Sequence, residues 1–362
     1  MSDNTKALSA DNPTALSNAL PNALPNALPT AHSITNVVAE QPLPENNWAE
    51  LSDRLMVTVS GAGTEKFLQG QFSQNVSEVT AGKSLHAAAS NRKGRAYALV
   101  RMVRHDDAIL MDFSRELADA TEAELRKYLM LFRGTTMARP DNSKIIGLFG
   151  SELAQAVAGE KAALVTDLRQ PGDTLTTGHG HLILLEPSIE GPARYELWSP
   201  DGALPDVLQT KRQCSLATWQ AGQIAAGVPW LTSATAGAYV PQMLNWQHLG
   251  GVHFKKGCYT GQEVIARMHF LGQLKKSLYR LTVTADAEPA VGDAISNGER
   301  NVGEVVNTLQ TGPQQYHLLA VIRHDAANGP LTLADNADAK IQLCPLAYAV
   351  PEREQPQKTA DT

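Results

Sequence analysis

KGCYTGQEVIAR, residues 256–267, sets a cysteine between two glycines and directly behind two lysines. Gly257 and Gly261 permit backbone conformations closed to other residues and let a ligand approach the main chain closely. Lys255 and Lys256 bring ammonium charge towards Cys258, which favours the thiolate over the thiol and raises reactivity at neutral pH. Tyr259 adds a stacking face, Gln262 an amide and Glu263 a carboxylate. Two readings stay open on this chemistry: a reactive thiol loop, or the small buried hydrophobe that a lone cysteine usually is. Cys214 and Cys344 lack the glycines and lysines and read as packing residues.

Working outward, residues 237–272 mix glycine, aromatic and basic residues without a clean period. So long an irregular stretch with this apolar content is expected to be functional rather than disordered. Upstream, LMVTVS (55–60) suits a strand, Gly61 and Gly63 a turn, and Thr64 the cap of a helix carrying Phe67 and Leu68. SLHAAAS, a turn at NRKG (91–94), AYALVRMVR, a turn at His105-Asp106-Asp107 and AILMDF form an antiparallel meander. Residues 115–132 place Leu117, Leu125, Tyr128, Leu129 and Phe132 on one helical stripe. A second round follows: KIIGLFG (144–150) and RYELWSP (194–200) as strands, 204–208 and 216–226 as helices. From Ser277 onward SLYRLTV, DAIS, VGEVVNTLQ, YHLLAVIR and IQLCPLAYAV are short strands of a small antiparallel barrel or sandwich.

Composition narrows the class. A chain of 362 residues suggests two or three domains. Its 43% hydrophobic and 19% charged residues are those of a soluble globular protein. No apolar run reaches the ~18 residues of a membrane helix, and the N-terminus lacks the features of a secretory signal; a cytoplasmic location is expected. The three cysteines are far apart with no CxxC, which argues against a disulfide framework and against an iron–sulfur cluster or other metal held by this chain alone. A net charge of −6 argues against a protein that coats nucleic acid and leaves a local basic surface open. NALPNALPNALP (18–29) has proline every fourth residue and cannot run as a helix. Residues 1–45 are expected to be a low-complexity tail, and 352–362 a second, polar one.

KGCYTGQEVIAR resembles the signature of the YgfZ family, relatives of the glycine-cleavage T-protein, a tetrahydrofolate-dependent aminomethyltransferase. FLQGQFSQNV (67–76), NRKGR (91–95), AGVPWL, YVPQMLNWQHLGGVHFKKGCYTGQE and the terminal strands follow in the family's order, so the resemblance spans about residues 48–350. It implies an α+β fold of three lobes around a folate-binding hollow: two intertwined α+β units over 46–271, then a C-terminal antiparallel β-barrel over 272–351. It also implies a reduced folate (tetrahydrofolate or a derivative) as ligand, and a role in maintaining iron–sulfur enzymes, including those that thiolate tRNA. The functional cysteine carries over to Cys258, with Lys256, Tyr259, Gln262 and Glu263 around it and Gly257, Gly261 and Arg267 on the ligand side. Glu196, in YELW, falls where T-proteins set a carboxylate against the pterin. One carboxylate can accept both adjacent N–H donors of a pterin edge.

The chain departs from the T-protein pattern where those enzymes carry an acidic pair. Here the stretch is Ala96-Tyr97-Ala98-Leu99, and Ala98 and Leu99 cannot exchange a proton. His105, Asp106 and Asp107 come too late to be assumed as substitutes, and Gln223 stands about where T-proteins have an arginine. Both departures weigh against aminomethyl transfer. The reading is therefore a folate-binding accessory protein whose partners are iron–sulfur client enzymes or assembly factors. A one-carbon transferase and a non-catalytic tRNA or protein scaffold are the alternatives. His179 and His181, in HGH, lack a third ligand for a metal. A Cys258 hydrolase would need His248, His253 or His269 as its base. In segment 255–280, Lys255, Lys256, Arg267, Lys275, Lys276 and Arg280 face only Glu263 in charge, a solvated face or a candidate surface for a polyglutamate tail, tRNA phosphate or an acidic partner.

Overall fold

The computed structural model describes residues 38–350, so the proline repeat and the polar C-terminal tail lie outside the described residues. The strand Trp48–Glu50 pairs antiparallel with Lys144–Phe149, Trp48 opposite Leu148, inside a sheet completed by Arg194–Ser199, Gly180–Leu184 and Thr174–Thr177. From Trp48 the chain thus enters the second unit, builds the first, and returns, which is the structural content of the expected intertwining.

The first unit is a five-stranded antiparallel sheet in the order Leu85–Ser90, Ala96–His105, Ala108–Ser114, Arg54–Ser60, Thr136–Ala138. Period-two alternation turns Val57, Val59, Val100, Met102, Ile109 and Met111 to one face. There the helices Thr64–Gln71 and Ala118–Leu129 cover them with Phe67, Leu68, Leu125 and Leu129. The second helix is shorter than the expected 115–132, because Arg115 and Leu117 belong to the turn that enters it and residues 130–132 to the turn that leaves it. In the second unit the helix Ser151–Ala158 buries Leu153 and Val157 against Ile146, Leu148 and Leu197.

The third lobe is a curled six-stranded antiparallel sheet running Thr332–Leu333, Ala294–Ser296, Asn301–Gly312, Gln315–Arg323, Lys276–Thr284, Lys340–Cys344. Register breaks after Val305 and after Gln310 bend its longest strand. The last strand stops at Cys344 because Pro345 has no N–H for the ladder. Beyond it, Tyr348 donates to the Gly227 carbonyl at 2.7 Å and ties the C-terminal segment to the turn after the helix Leu216–Ala225.

Two stretches differ from expectation. Residues 38–45, assigned to the N-terminal tail, pack: Ala39 and Leu43 are buried, and Ala39 N–H donates to the Gln310 carbonyl at 3.0 Å. Residues 237–272 are not irregular throughout, since Gln262–Phe270 is an α-helix entered through Gly261 at φ 85°. Only Ile265 of it is fully buried, so it shows little apolar period, and tertiary contact rather than pattern holds it.

Candidate functional site

A cavity of about 470 Å³ opens between the two units, within the usual size of a small-molecule site. Strands of the first unit bring Arg54, Ala98, Leu99, Arg101 and Asp112 to its wall. The second unit brings Glu186 and Glu196, and the helix Leu216–Ala225 brings Trp219, Gln220 and Gln223. Trp230 and Trp246 complete an apolar lining.

Charge in this cavity is dense and paired. Arg54 donates to Asp112 at 2.8 Å and to Glu196 at 2.6 Å, with both carboxylates almost wholly buried. Burial opposes the Arg54 charge, but Glu196, Asp112 and Asp53 together hold the guanidinium firmly protonated. Burial pushes Asp112 above the usual carboxylate range, against the pull of Arg54. Glu196 ends below that range, because Arg54, Arg101 and the Trp198 indole N–H at 2.8 Å outweigh its burial. Deeper in, Arg101 grips both oxygens of Glu186, at 2.9 and 3.0 Å, and His86 Nε2 lies 2.8 Å from each partner. Burial alone would raise Glu186; Arg101 and His86 carry it well below its ordinary value. Burial also draws Arg194 down to about 10, with its guanidinium on Gln223 at 2.7 Å and over the Trp219 ring.

Each Glu196 oxygen already accepts one hydrogen bond, yet a carboxylate has about four lone-pair sites, so capacity for a ligand remains. Asp53 Oδ1 is buried with no hydrogen-bond partner among the described residues, while Oδ2 accepts from Gln220 at 3.1 Å. An acceptor left unmatched in this way fits a ligand that presents N–H groups. Ala98 and Leu99 do sit on the cavity wall, which carries acid from elsewhere: Asp112 on the neighbouring strand, Glu186 and Glu196.

The cysteine loop is built separately. Lys256 Nζ donates to the carbonyls of Gln69 and Phe72 at 2.7 and 2.6 Å and stands 4.7 Å from the Tyr259 ring centroid. Burial draws this amine down to about 7. Thr260 N–H donates to Gly70 at 3.1 Å. Gly94 packs on Val264, where a Cβ would come within 2.8 Å, and Gly261 packs on the Asn91 carbonyl. Ser73 and Gln74 donate to the carbonyls of Gly251 and Gly250, both at 2.5 Å. FLQGQFSQ, NRKGR and KGCYTGQE, remote in sequence, therefore form one contact surface.

Cys258 is exposed, and none of residues 256–267 lines the cavity. Cavity and loop share a wall instead. Trp246 lines the cavity and packs on His86 with ring centroids 4.7 Å apart, and it clusters with Tyr259, Ile265, Val252 and Val228. Glu196 is thus in the cavity, and Lys256, Gly257, Cys258, Tyr259, Gly261, Gln262, Glu263 and Arg267 are outside it. Lys256 is spent on backbone carbonyls rather than left free beside the thiol.

Other sequence candidates disperse. His181 meets His105 at 3.0 Å rather than His179, and among the described residues no cluster of three or more His, Cys, Asp or Glu side chains could hold a metal. His253 pairs with Glu78 at 3.2 Å, and His269 stacks on Phe254. The basic segment 255–280 is not one surface, since Arg280 is buried beside Glu190 at 3.1 Å and Lys256 is tucked under the loop. Sequence reasoning missed Arg54, His86, Arg101, Asp112 and Glu186. A signal was present for two of them: Arg101 interrupts LVRMV and Asp112 interrupts LMDF, charges in strands otherwise apolar on both sides.

No protein-family model matches the chain. It is 31% identical over 325 residues to the tRNA-modifying protein YgfZ of Sodalis glossinidius (strain morsitans), covering 86% of this chain and 97% of the relative. A second relative, the tRNA-modifying protein YgfZ of Klebsiella pneumoniae (strain 342), is 31% identical over 312 residues, 83% of this chain and 92% of its own length. Among solved structures, the glycine cleavage system aminomethyltransferase T from Bartonella henselae superposes with a TM-score of 0.65 at 15% identity, over 86% of this chain and 88% of that one. That likeness carries the fold. Among the described residues no helix is long and apolar enough to cross a membrane.

Proposed function

The chain belongs to the YgfZ family, and from that premise we propose that it binds a reduced folate in the central cavity and supports iron–sulfur-dependent tRNA-modifying enzymes through Cys258. The observation that carries the reading is the division of the site: a charge-lined cavity on one side of the Trp246 wall and an exposed thiol on the other. A thiol so placed addresses a macromolecular partner rather than the cavity ligand.

A reduced folate, when bound, supplies a nitrogen able to carry one-carbon units. Glu196 and Asp53 are the acceptors for its N–H edge, and Arg54 holds Glu196 ionised and oriented for that contact. Trp219, Trp230 and Trp246 exclude water from the flat ring. Asp112 is the group best suited to hold a proton, its carboxyl raised by burial and fixed by the Arg101 backbone N–H at 2.6 Å. This favours retaining a one-carbon transferase as the second reading, since the acid missing at Ala98 and Leu99 has a counterpart one strand away.

Two measurements test the proposal. Tetrahydrofolate at a hundred times its Kd should stabilise the protein by about 2.7 kcal/mol, and Glu196→Gln should remove most of the thermal shift. In a strain lacking the protein, tRNA methylthiolation should fall and be restored by the wild type but not by Cys258→Ala. Full rescue by Cys258→Ala at wild-type expression removes the thiol from the mechanism. Sustained formation of methylene-tetrahydrofolate from an aminomethyl donor would instead establish the transferase.

A further inference from the structure

A second hollow of about 490 Å³ lies beside the cysteine loop, outside the central cavity, walled by Arg92, Lys93, Tyr97, Lys127, Tyr128 and Thr260. Three remote pieces of chain meet there: the NRKG turn with the strand after it, the end of the helix Ala118–Leu129, and the loop that carries Cys258. Thr260 follows Cys258 by two residues, so their Cα atoms are no more than about 7 Å apart. The Thr260 wall of the hollow thus belongs to the same short loop as the thiol.

Its walls are backed by packed structure. Tyr97 and Tyr128 are half-buried, with their rings backed by the core of the first unit. Burial, then Glu124 and Tyr128, push the Tyr97 phenol up, so it stays neutral at physiological pH. The turn bearing Arg92 and Lys93 is fixed by Asn91, whose side chain accepts from the N–H groups of Lys93 at 2.9 Å and Arg95 at 3.2 Å. Val264 and Gly261 press on it from behind. Arg92 and Lys93 are exposed, and Glu124, the carboxylate of this wall, is paired with Lys127.

Half-buried aromatic rings beside exposed cations are the chemistry of single-stranded nucleic-acid binding: rings stack bases and cations track phosphates. A base held in a duplex has both faces stacked and none free for these rings, whereas an unpaired loop base can be splayed onto them. We propose that this hollow seats an unpaired nucleotide of an RNA loop, base on Tyr97 and Tyr128 and phosphates on Arg92 and Lys93, beside Cys258. The choice of RNA rests on the family reading above; the folate cavity plays no part in it.

The test is fluorescence anisotropy of the full chain with a labelled 17-nucleotide RNA stem-loop and with a blunt RNA duplex, over a range of KCl. The stem-loop should bind more tightly than the duplex. Tyr128→Leu should weaken it by roughly 5- to 150-fold, the loss of one stacked base. Arg92→Ala with Lys93→Ala, both at exposed positions, should lower the slope of log affinity against log salt by about 1.4. Tetrahydrofolate should still raise the melting temperature of both variants. Equal binding of duplex and stem-loop overturns the proposal, as does a wild-type salt slope in the Arg92/Lys93 variant. A missing folate shift in the wild type, with the RNA results intact, would sink the cavity reading and leave this one standing.

Discussion

Replacing Arg54 by methionine probes the cavity at its electrostatic centre. Arg54 is the shared partner of Asp112, at 2.8 Å, and Glu196, at 2.6 Å, whose side chains are only 9% and 2% exposed. Removing one member of a buried pair costs about 3–5 kcal/mol, because the other charge is left without compensation. Two carboxylates lose a partner here, but each keeps one donor: the Arg101 N–H for Asp112 and the Trp198 indole for Glu196. The loss should therefore fall near 4 kcal/mol at pH 8 rather than at twice that. Its pH dependence has a definite sign. Without Arg54, Asp112 loses the cation that opposes its burial and lies still further above its unfolded pKa, so the folded state binds more protons and stability falls as pH rises. At pH 5 the penalty should shrink by at least about 1 kcal/mol. Urea titrations at pH 5 and pH 8, read from the midpoint at constant m, measure both quantities. Adding Glu196→Gln should recover part of the loss at pH 8 by removing one stranded charge. A cost under about 1 kcal/mol at pH 8, or equal costs at both pH values, would refute the view that Arg54 holds this cavity together.

Three further outcomes follow from the same geometry. An aromatic disulfide reagent at pH 8 should label Cys258 first in the native protein; Cys214, buried and pushed up to about 11 chiefly by that burial, should react only in denaturant. Lys256→Met should cost about 2–4 kcal/mol by leaving the Gln69 and Phe72 carbonyls unpaired, and amide exchange of residues 256–261 should quicken more than that of the cavity strands. Burial, then the His105 charge, draw His181 down to about 4. The folded state thus binds fewer protons than the unfolded, and stability should fall as pH drops from about 6.5 towards 4. His181→Asn should flatten the melting temperature over that window, and an unchanged profile would place the acid-sensitive group elsewhere.

The meander of the first unit was legible because each strand alternates on a two-residue period and each turn carries its own chemistry, NRKG and His105-Asp106-Asp107 being the turns observed. The helix of the cysteine loop was not, since with Ile265 alone fully buried it has no stripe to read. The inclusion of Trp48–Glu50 in the second sheet had no local signal either, because an antiparallel pairing across about a hundred residues leaves no mark on either partner's pattern.

KGCYTGQE shows the same division. Sequence alone established that the loop is chemically special and tied it to a family, because motif identity is local and survives without coordinates. Only the tertiary structure decided what the loop faces: Lys256 turned inward to two carbonyls, Tyr259 and Ile265 buried behind Trp246, and Cys258 left on the outside. It also decided that the cavity is governed by Arg54, Asp112, Arg101 and Glu186, charges from three separate strands and a loop. Charges inside a cavity find partners by proximity in space, and no spacing along the chain records it.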